Sequence, residues 1–407
     1  MIVLHTSDWH LGQKFLNNDR KEEHQLAFEW LEKTITEYKV DVLIVSGDIF
    51  DIGNPPSYAR TLYYQFLTKL QFTCCRHIVV IGGNHDSPSM LNAPKELLEM
   101  LNVYVVGAVS ENLEDEILLL KNEAQQLELI VAAVPFLRDR DIRQSIAGET
   151  GPERMVKVQE GIVRHFNEIG DLVKKHSKKN IPVIATGHLY AKGALASDKQ
   201  DNIYIGNIEN IEAKRFPKAF DYVALGHIHR AQMVSEQRHI RYSGSIIPLS
   251  FSEIQDSKSV EVLHFEGKKL AHIETIKVPR FRELVTFTGD LESVKDRLQR
   301  FDEKRKGLLK PWVDIMIEMD ELIPNLDGEI RDFAKDFWMD ILKIRTKKAI
   351  NALDNTSQEM DLDELSPEEV FLKRCEDGGH VTSVLQKELV MTFRELLDWM
   401  REVEEMY

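Results

Sequence analysis

Short, continuously apolar runs alternate with longer amphipathic stretches from Met1 to about Val278. Ile2–His5, Val42–Ser46, Ile78–Ile81, Val103–Val106, Leu129–Val134, Val183–Thr186 and Tyr222–Leu225 are of strand length and rich in Val and Ile. Strands that are apolar at every position are those covered on both faces. Between them, Glu22–Tyr38, Tyr58–Leu70, Pro94–Leu101 and Glu153–His176 carry apolar residues at helical spacing. The alternation predicts an α/β layered sheet. After Tyr222 the spacing shortens to His239–Ser243, Val260–Phe265 and Leu270–Val278, which predicts hairpins and antiparallel strands finishing the sheet.

Pro279 breaks this pattern and divides the chain. Residues 279–345 read as a smaller α+β unit: a strand at Glu283–Thr288, a charged helix at Leu291–Lys306, a strand at Trp312–Glu318, then another helix and strand. Residues 346–407 form a tail with 7 Lys/Arg against 15 Asp/Glu. Within it, Asp354–Glu369 lacks a core-forming period and reads as an acidic linker. Val381, Val384, Leu385, Leu389, Phe393, Leu396, Leu397, Met400 and Val403 then recur at helical spacing, as in a helix that folds back on its own chain or, with an acidic linker before it, binds a partner. The three expected parts are therefore 1–278, 279–345 and 346–407.

Composition excludes some classes of protein. The 407 residues hold 43% apolar and 29% charged side chains, so wholesale disorder is out. A net charge of −15 gives no support to a protein that coats nucleic acid or a membrane surface through bulk charge. Cys74, Cys75 and Cys375 make no disulfide framework, and no run reaches the ~18 apolar residues that span a bilayer. Met1–Gly12 contains Asp8 and His10 and is not a signal peptide. The expected setting is a reducing cytoplasm, with no membrane.

The candidate chemistry lies just past the predicted strand ends, where open α/β sheets hold ligands. There stand Asp8-Trp9-His10, Gly47-Asp48-Ile49-Phe50-Asp51, Gly83-Asn84-His85-Asp86, Gly187-His188 and Gly226-His227-Ile228-His229. Taken singly, each is more often a turn, a cap or a hydrogen-bonded core histidine. Five in order, each after a strand, bring three Asp or Asn oxygens and four His nitrogens to one edge of the sheet. That is a ligand set for two metal ions. Imidazole with carboxylate suits Mn, Fe or Zn, and no thiolate stands in these loops. Two cations roughly 3.5–4 Å apart repel each other and need a shared carboxylate between them.

The five pieces resemble the signature of the calcineurin-like metallophosphoesterases, Asp-x-His, Gly-Asp-x-x-Asp, Gly-Asn-His-[Asp/Glu], Gly-His and Gly-His-x-His, with no ligand position missing. Within that superfamily the chain resembles the nuclease-subunit family of bacterial SbcCD complexes. The residues that carry the likeness are His5–Gly12, Asp48–Asp51 with Pro55–Arg60, Asn84–Ser87, Leu225–Arg230, Tyr242–Ser245 and Leu365–Phe371. The resemblance implies a layered metallophosphoesterase sandwich with a small α+β capping domain and a C-terminal helical tail. It implies two Mn²⁺ ions, with Mg²⁺, Fe²⁺ or Zn²⁺ possible at the same site. Asp8, His10, Asp48 and His229 would hold one, and Asp48, Asn84, His188 and His227 the other. His85 would contact the scissile phosphate and protonate the leaving oxygen, and Asp51 stands where relatives supply its orienting partner.

The implied activity is 3′→5′ exonuclease on duplex DNA and endonuclease on single strands and hairpins. The implied partners are DNA, the SbcC ATPase, and a second copy of the chain as a homodimer within a heterotetramer. Part of Tyr58–Leu70 and of Leu91–Leu101 would pack on that second copy. The basic run Lys295, Arg297, Arg300, Lys304, Arg305 and Lys306 reads either as a solvated helix face or as a DNA-backbone contact. Rival functions are a phosphatase, a small-molecule phosphodiesterase, and a non-catalytic scaffold for DNA ends.

Overall fold

The computed structural model describes residues 1–348 except 144–149, 178–179, 195–209, 305–306 and 320–322, together with 371, 374, 389, 390, 392, 393 and 396. The acidic linker, most of the terminal apolar stripe, and Arg305 and Lys306 of the basic run lie outside these residues.

The apolar runs form two six-stranded sheets. In spatial order the first holds Lys269–Lys277, Ser259–Glu266, Ile2–Thr6, Val42–Ser46, His77–Ile81 and Val103–Val106. Its last four strands are mutually parallel, and Ser259–Glu266 runs antiparallel to Ile2–Thr6. The second holds Gln232–Val234, Gln237–Tyr242, Tyr222–Gly226, Val183–His188, Leu127–Ala132 and Ile117–Lys121. Four of these are parallel, with an antiparallel strand at each edge.

Side chains alternate across each strand, and both faces find apolar cover. Val42, Ile44, Val79 and Ile81 pack between the sheets against Leu129, Val131, Ile184 and Ala224. Their neighbours Leu43, Val45, Ile78 and Val80 face outward onto Phe28, Leu31, Ile35, Phe66 and Leu67 of helices Lys21–Glu37 and Ser57–Leu70. Helix Gly151–His176 covers the other outer face with Phe166, Ile169 and Val173. The result is the four-layer α/β sandwich that the sequence resemblance implied.

The antiparallel expectation after Tyr222 holds only in part. Gln237–Tyr242 runs parallel to Tyr222–Gly226. The short strand Gln232–Val234 first reverses the chain, and Ser235 and Glu236, both at positive φ, turn it back. The expected helix Pro94–Leu101 is the shorter Lys95–Glu99, and a separate short helix, Pro88–Asn92, ends just before Ala93-Pro94, where Pro lacks the N–H needed to continue it.

From Leu284 to Lys348, three parallel strands and the helices Leu291–Glu303 and Leu326–Ala334 enclose a core of their own, including Phe287, Leu298, Val313, Ile315 and Ile330. This unit docks on the sandwich through buried Phe15, Leu284 and Trp312, with Phe251 and Ile254 packed against them. Beside that cluster, Glu23 is shared by two buried guanidiniums. Arg20 donates to its two oxygens at 3.0 and 2.6 Å, and Arg282 donates to Oε2 at 3.1 Å. Arg282 also lies over the Trp312 ring at 4.3 Å, a contact worth about 2 kcal/mol when desolvated.

Candidate metal centre

The loops that follow Ile2–Thr6 and Val42–Ser46 run side by side. Asp8 N–H donates to the Gly47 carbonyl at 3.0 Å, His10 N–H to Asp48 at 3.1 Å and Leu11 N–H to Ile49 at 2.9 Å. The C-terminal ends of Val183–His188 and Tyr222–Gly226 in the second sheet come up against them, and glycine permits the approach. A Cβ on Gly226 would lie 1.8 Å from the Ser46 carbonyl oxygen. One on Gly47, at φ +85, would lie 2.3 Å from His188 Nδ1. Asp8, His10, Asp48 and His227 take φ of 52, 46, 50 and 96. That region is uncommon for residues other than glycine, and such strain gathers at functional sites.

All nine site residues singled out in the sequence converge here. Asp8, His10 and His229 bring one potential ligand atom each to within 4.8 Å of one another, as do Asp48, His188 and His227. Asn84 joins the second set, its Oδ1 accepting from His188 Nε2 and His227 Nδ1, both at 3.0 Å. Asp48 lies between the sets, its Oδ2 3.2 Å from His188 Nε2 and 3.5 Å from His10 Nε2.

The outward nitrogens of His10 and His188 are committed elsewhere. His10 Nδ1 pairs with Asp51 Oδ1 at 2.9 Å, and His188 Nδ1 donates to the Ser46 carbonyl at 2.9 Å. Each ring thus turns Nε2 inward, as a metal-ligating imidazole requires. His10 Nε2 is buried with no hydrogen-bond partner, which is costly unless something takes its lone pair or proton. The donor set of imidazole, carboxylate and amide oxygen fits divalent cations of the Mn, Fe or Zn kind.

Electrostatics agree with that fit. Burial opposes charge on His10, but the hydrogen bond to Asp51 and the charges of Asp48, Asp51 and Asp8 raise it to about 9. Burial likewise opposes charge on His188, and Asp48 above all raises it to about 9. Burial and the neighbouring His188 hold His227 well below the ordinary value. The metal-free site therefore keeps protons on His10 and His188, where a cation's charge would sit. A cation needs those lone pairs, so binding at pH 7 releases on the order of two protons. Apparent affinity should rise with pH and level off above about 9. Calorimetry in two buffers of different ionisation enthalpy measures the release, and a flat pH dependence would refute it.

Asp51 reaches His85 through its main chain, its carbonyl accepting from His85 Nδ1 at 2.7 Å while its carboxylate serves His10. The contact between Asp51 and His85 is thus made by the Asp51 backbone. Asp86 accepts from the amides of Gly83, Ile49 and Phe50 at 2.8, 3.1 and 2.9 Å and ties two site loops together. Burial and Asp48 raise its carboxyl to about 6. Sequence reasoning missed Glu253, which lies 3.4 Å from His229 Nδ1, and Lys258 beside it. No local motif marks either residue.

Among the described residues no helix is long and apolar enough to cross a membrane. Residues 1–231 match the family model described as calcineurin-like phosphoesterase, and residues 280–378 match that described as type 5 capsule protein repressor C-terminal domain. The chain is 39% identical over 378 residues to SbcD, the nuclease component of SbcCD, from Escherichia coli K12, covering 92% of each protein. It is 30% identical over 390 residues to the SbcD of Rhodobacter capsulatus, covering 91% of this chain and 93% of that one. With the SbcD of Bacillus subtilis it shares 26% over 407 residues, covering 99% of each. A motif set, a strand-edge site and full-length similarity thus agree that the chain belongs to the SbcD family of nuclease subunits within the calcineurin-like phosphoesterases.

Proposed function

We propose that this chain is the metal-dependent DNA nuclease of an SbcCD-type complex: a 3′→5′ exonuclease on double-stranded DNA and an endonuclease on single strands and hairpins, serving DNA repair, recombination and replication in the cytoplasm. The observation that carries the reading is Asp48 standing between two clusters of inward-facing ligands. The proposed cofactors are two Mn²⁺ ions. Asp8, His10, Asp48 and His229 hold one, and Asp48, Asn84, His188 and His227 hold the other. When bound, the pair supplies a nucleophile from water near neutral pH and neutralises charge at the phosphoryl group.

The chain's own residues do the rest. Asp51 sets His10 with its carboxylate and His85 with its carbonyl. His85 keeps Nε2 for the phosphodiester and protonates the departing oxygen. The proposed organisation is a nuclease domain at 1–278, a capping domain at 279–345 and a partner-binding tail at 346–407. The relatives' naming as one component of SbcCD supports pairing with the SbcC ATPase, and we propose a homodimer of this chain at the centre of that heterotetramer.

The test is cleavage of end-labelled duplex and hairpin DNA by the purified chain with Mn²⁺, Mg²⁺ or EDTA. Mn²⁺-dependent cleavage abolished by EDTA is the expected result. Failure on DNA and on bis(p-nitrophenyl) phosphate alike, with Mn²⁺ bound, would replace the nuclease with a scaffold. Hydrolysis of the small substrate alone would assign DNA cleavage to the complex with SbcC.

A further inference from the structure

Glu253 is a buried carboxylate outside the family's motifs, and every atom of its head is engaged. Its Oε2 accepts from Leu249 N–H at 3.1 Å and from Lys258 Nζ at 2.5 Å, and its Oε1 faces His229 Nδ1 at 3.4 Å. Lys258, also buried, spends its three N–H donors on Glu253, on the His229 carbonyl at 2.9 Å and on Ser245 Oγ at 2.8 Å. The ion pair therefore grips His229 at both ends, the ring through Glu253 and the main chain through Lys258. Residues next to Glu253 anchor the grip. Phe251 and Ile254 pack with Phe15, Leu284 and Trp312, where the C-terminal α+β unit docks.

We infer that Glu253 and Lys258 are positioning residues that hold His229 for the cation shared with Asp8 and His10. The inference rests on the metal-site reading given above and deepens it. A carboxylate on Nδ1 fixes the tautomer and ring orientation that leave Nε2 for the metal. A lysine buried against that carboxylate keeps it charged and immobile, and a gripped main chain removes the backbone freedom that would let the ring turn away.

The experiment compares the full chain with Glu253→Gln and Glu253→Asp by equilibrium dialysis against Mn²⁺, with thermal unfolding and bis(p-nitrophenyl) phosphate hydrolysis at several Mn²⁺ concentrations. Glu253→Asp keeps the charge beside Lys258 and draws the carboxylate back from His229, so it tests the grip even if Glu253→Gln does not fold. The expected result is one class of Mn²⁺ site weakened by about 10–100-fold with the other unchanged, and hydrolysis recovered at high Mn²⁺. Unchanged affinities at both classes, with only a lowered metal-free Tm, would overturn the proposal and leave the metal-site reading standing. A wild-type chain that takes up no Mn²⁺ would overturn that reading and the proposal with it.

Discussion

Asp48→Asn should abolish the response of the protein to Mn²⁺. In the wild type, a cation that binds only the folded chain raises stability by about 2.7 kcal/mol at a hundred times its Kd. The wild-type Tm should therefore climb with added Mn²⁺, and that of the variant should not. The geometry gives the reason. Asp48 is nearly fully buried, and its Oδ2 faces both His188 and His10, one from each ligand set. Asparagine keeps the shape and removes the charge that would let the two proposed cations sit close together. Asp48 Oδ1 also accepts the His85 amide at 3.0 Å, a contact the Asn carbonyl oxygen can still make, so the loop carrying His85 should stay in place. Burial disfavours charge on Asp48, but His188 above all holds its carboxyl well below the usual range, so Asp48 is ionised at pH 7. Hydrolysis of bis(p-nitrophenyl) phosphate should fall by about 10³-fold, the order expected when a preorganised electrostatic group is lost. A variant that keeps both the Mn²⁺-dependent Tm shift and the rate would remove Asp48 from the shared position.

How much of this was legible in the sequence depended on whether the signal was local. Val42–Ser46 and Val183–His188 are covered on both faces, so an unbroken apolar run was enough to find them. Nothing in such runs says which sheet a strand joins, because the pairing partner is chosen by tertiary contact. The edge strand Ile117–Lys121 escaped notice although Ile117-Leu118-Leu119-Leu120 is unbroken and apolar, because three leucines in place of Val and Ile give a run that does not distinguish strand from helix. The ligands were legible because each sits immediately after a strand, so order along the chain maps onto order along the sheet edge. His229 could be read from Gly-His-x-His, whereas the Glu253–Lys258 grip upon it joins side chains 24 and 29 positions away, on a loop that is otherwise half-buried or exposed. Asp51 shows the limit from the other side. Its place near His85 followed from the motif, but only the geometry separates the carboxylate on His10 from the carbonyl on His85.

His85→Gln should lose catalysis and keep the metal. The ring is the one histidine of these loops that the proposed ligand sets leave unused, and its Nδ1 is committed to the Asp51 carbonyl at 2.7 Å. That contact fixes the ring and, in the proposed mechanism, leaves Nε2 for substrate. His85 stands edge-on to His10, with ring centroids 4.9 Å apart, so it borders the ligands. Burial holds it below the ordinary imidazole value, although Asp48 and Asp51 pull the other way. A phosphodiester brings a further negative charge to the ring and so favours the protonated form at the moment the leaving oxygen needs a proton. Glutamine preserves much of the side chain's reach but cannot deliver that proton, so kcat should drop by about 10²–10⁴-fold. The Mn²⁺-dependent Tm shift should remain, which separates this variant from Asp48→Asn. The loss should also shrink on substrates with good leaving groups, because p-nitrophenolate departs without a proton while a sugar alkoxide of DNA does not. Equal losses on bis(p-nitrophenyl) phosphate and on DNA would show that His85 binds the phosphate and donates nothing. Loss of the Tm shift would instead make it a ligand.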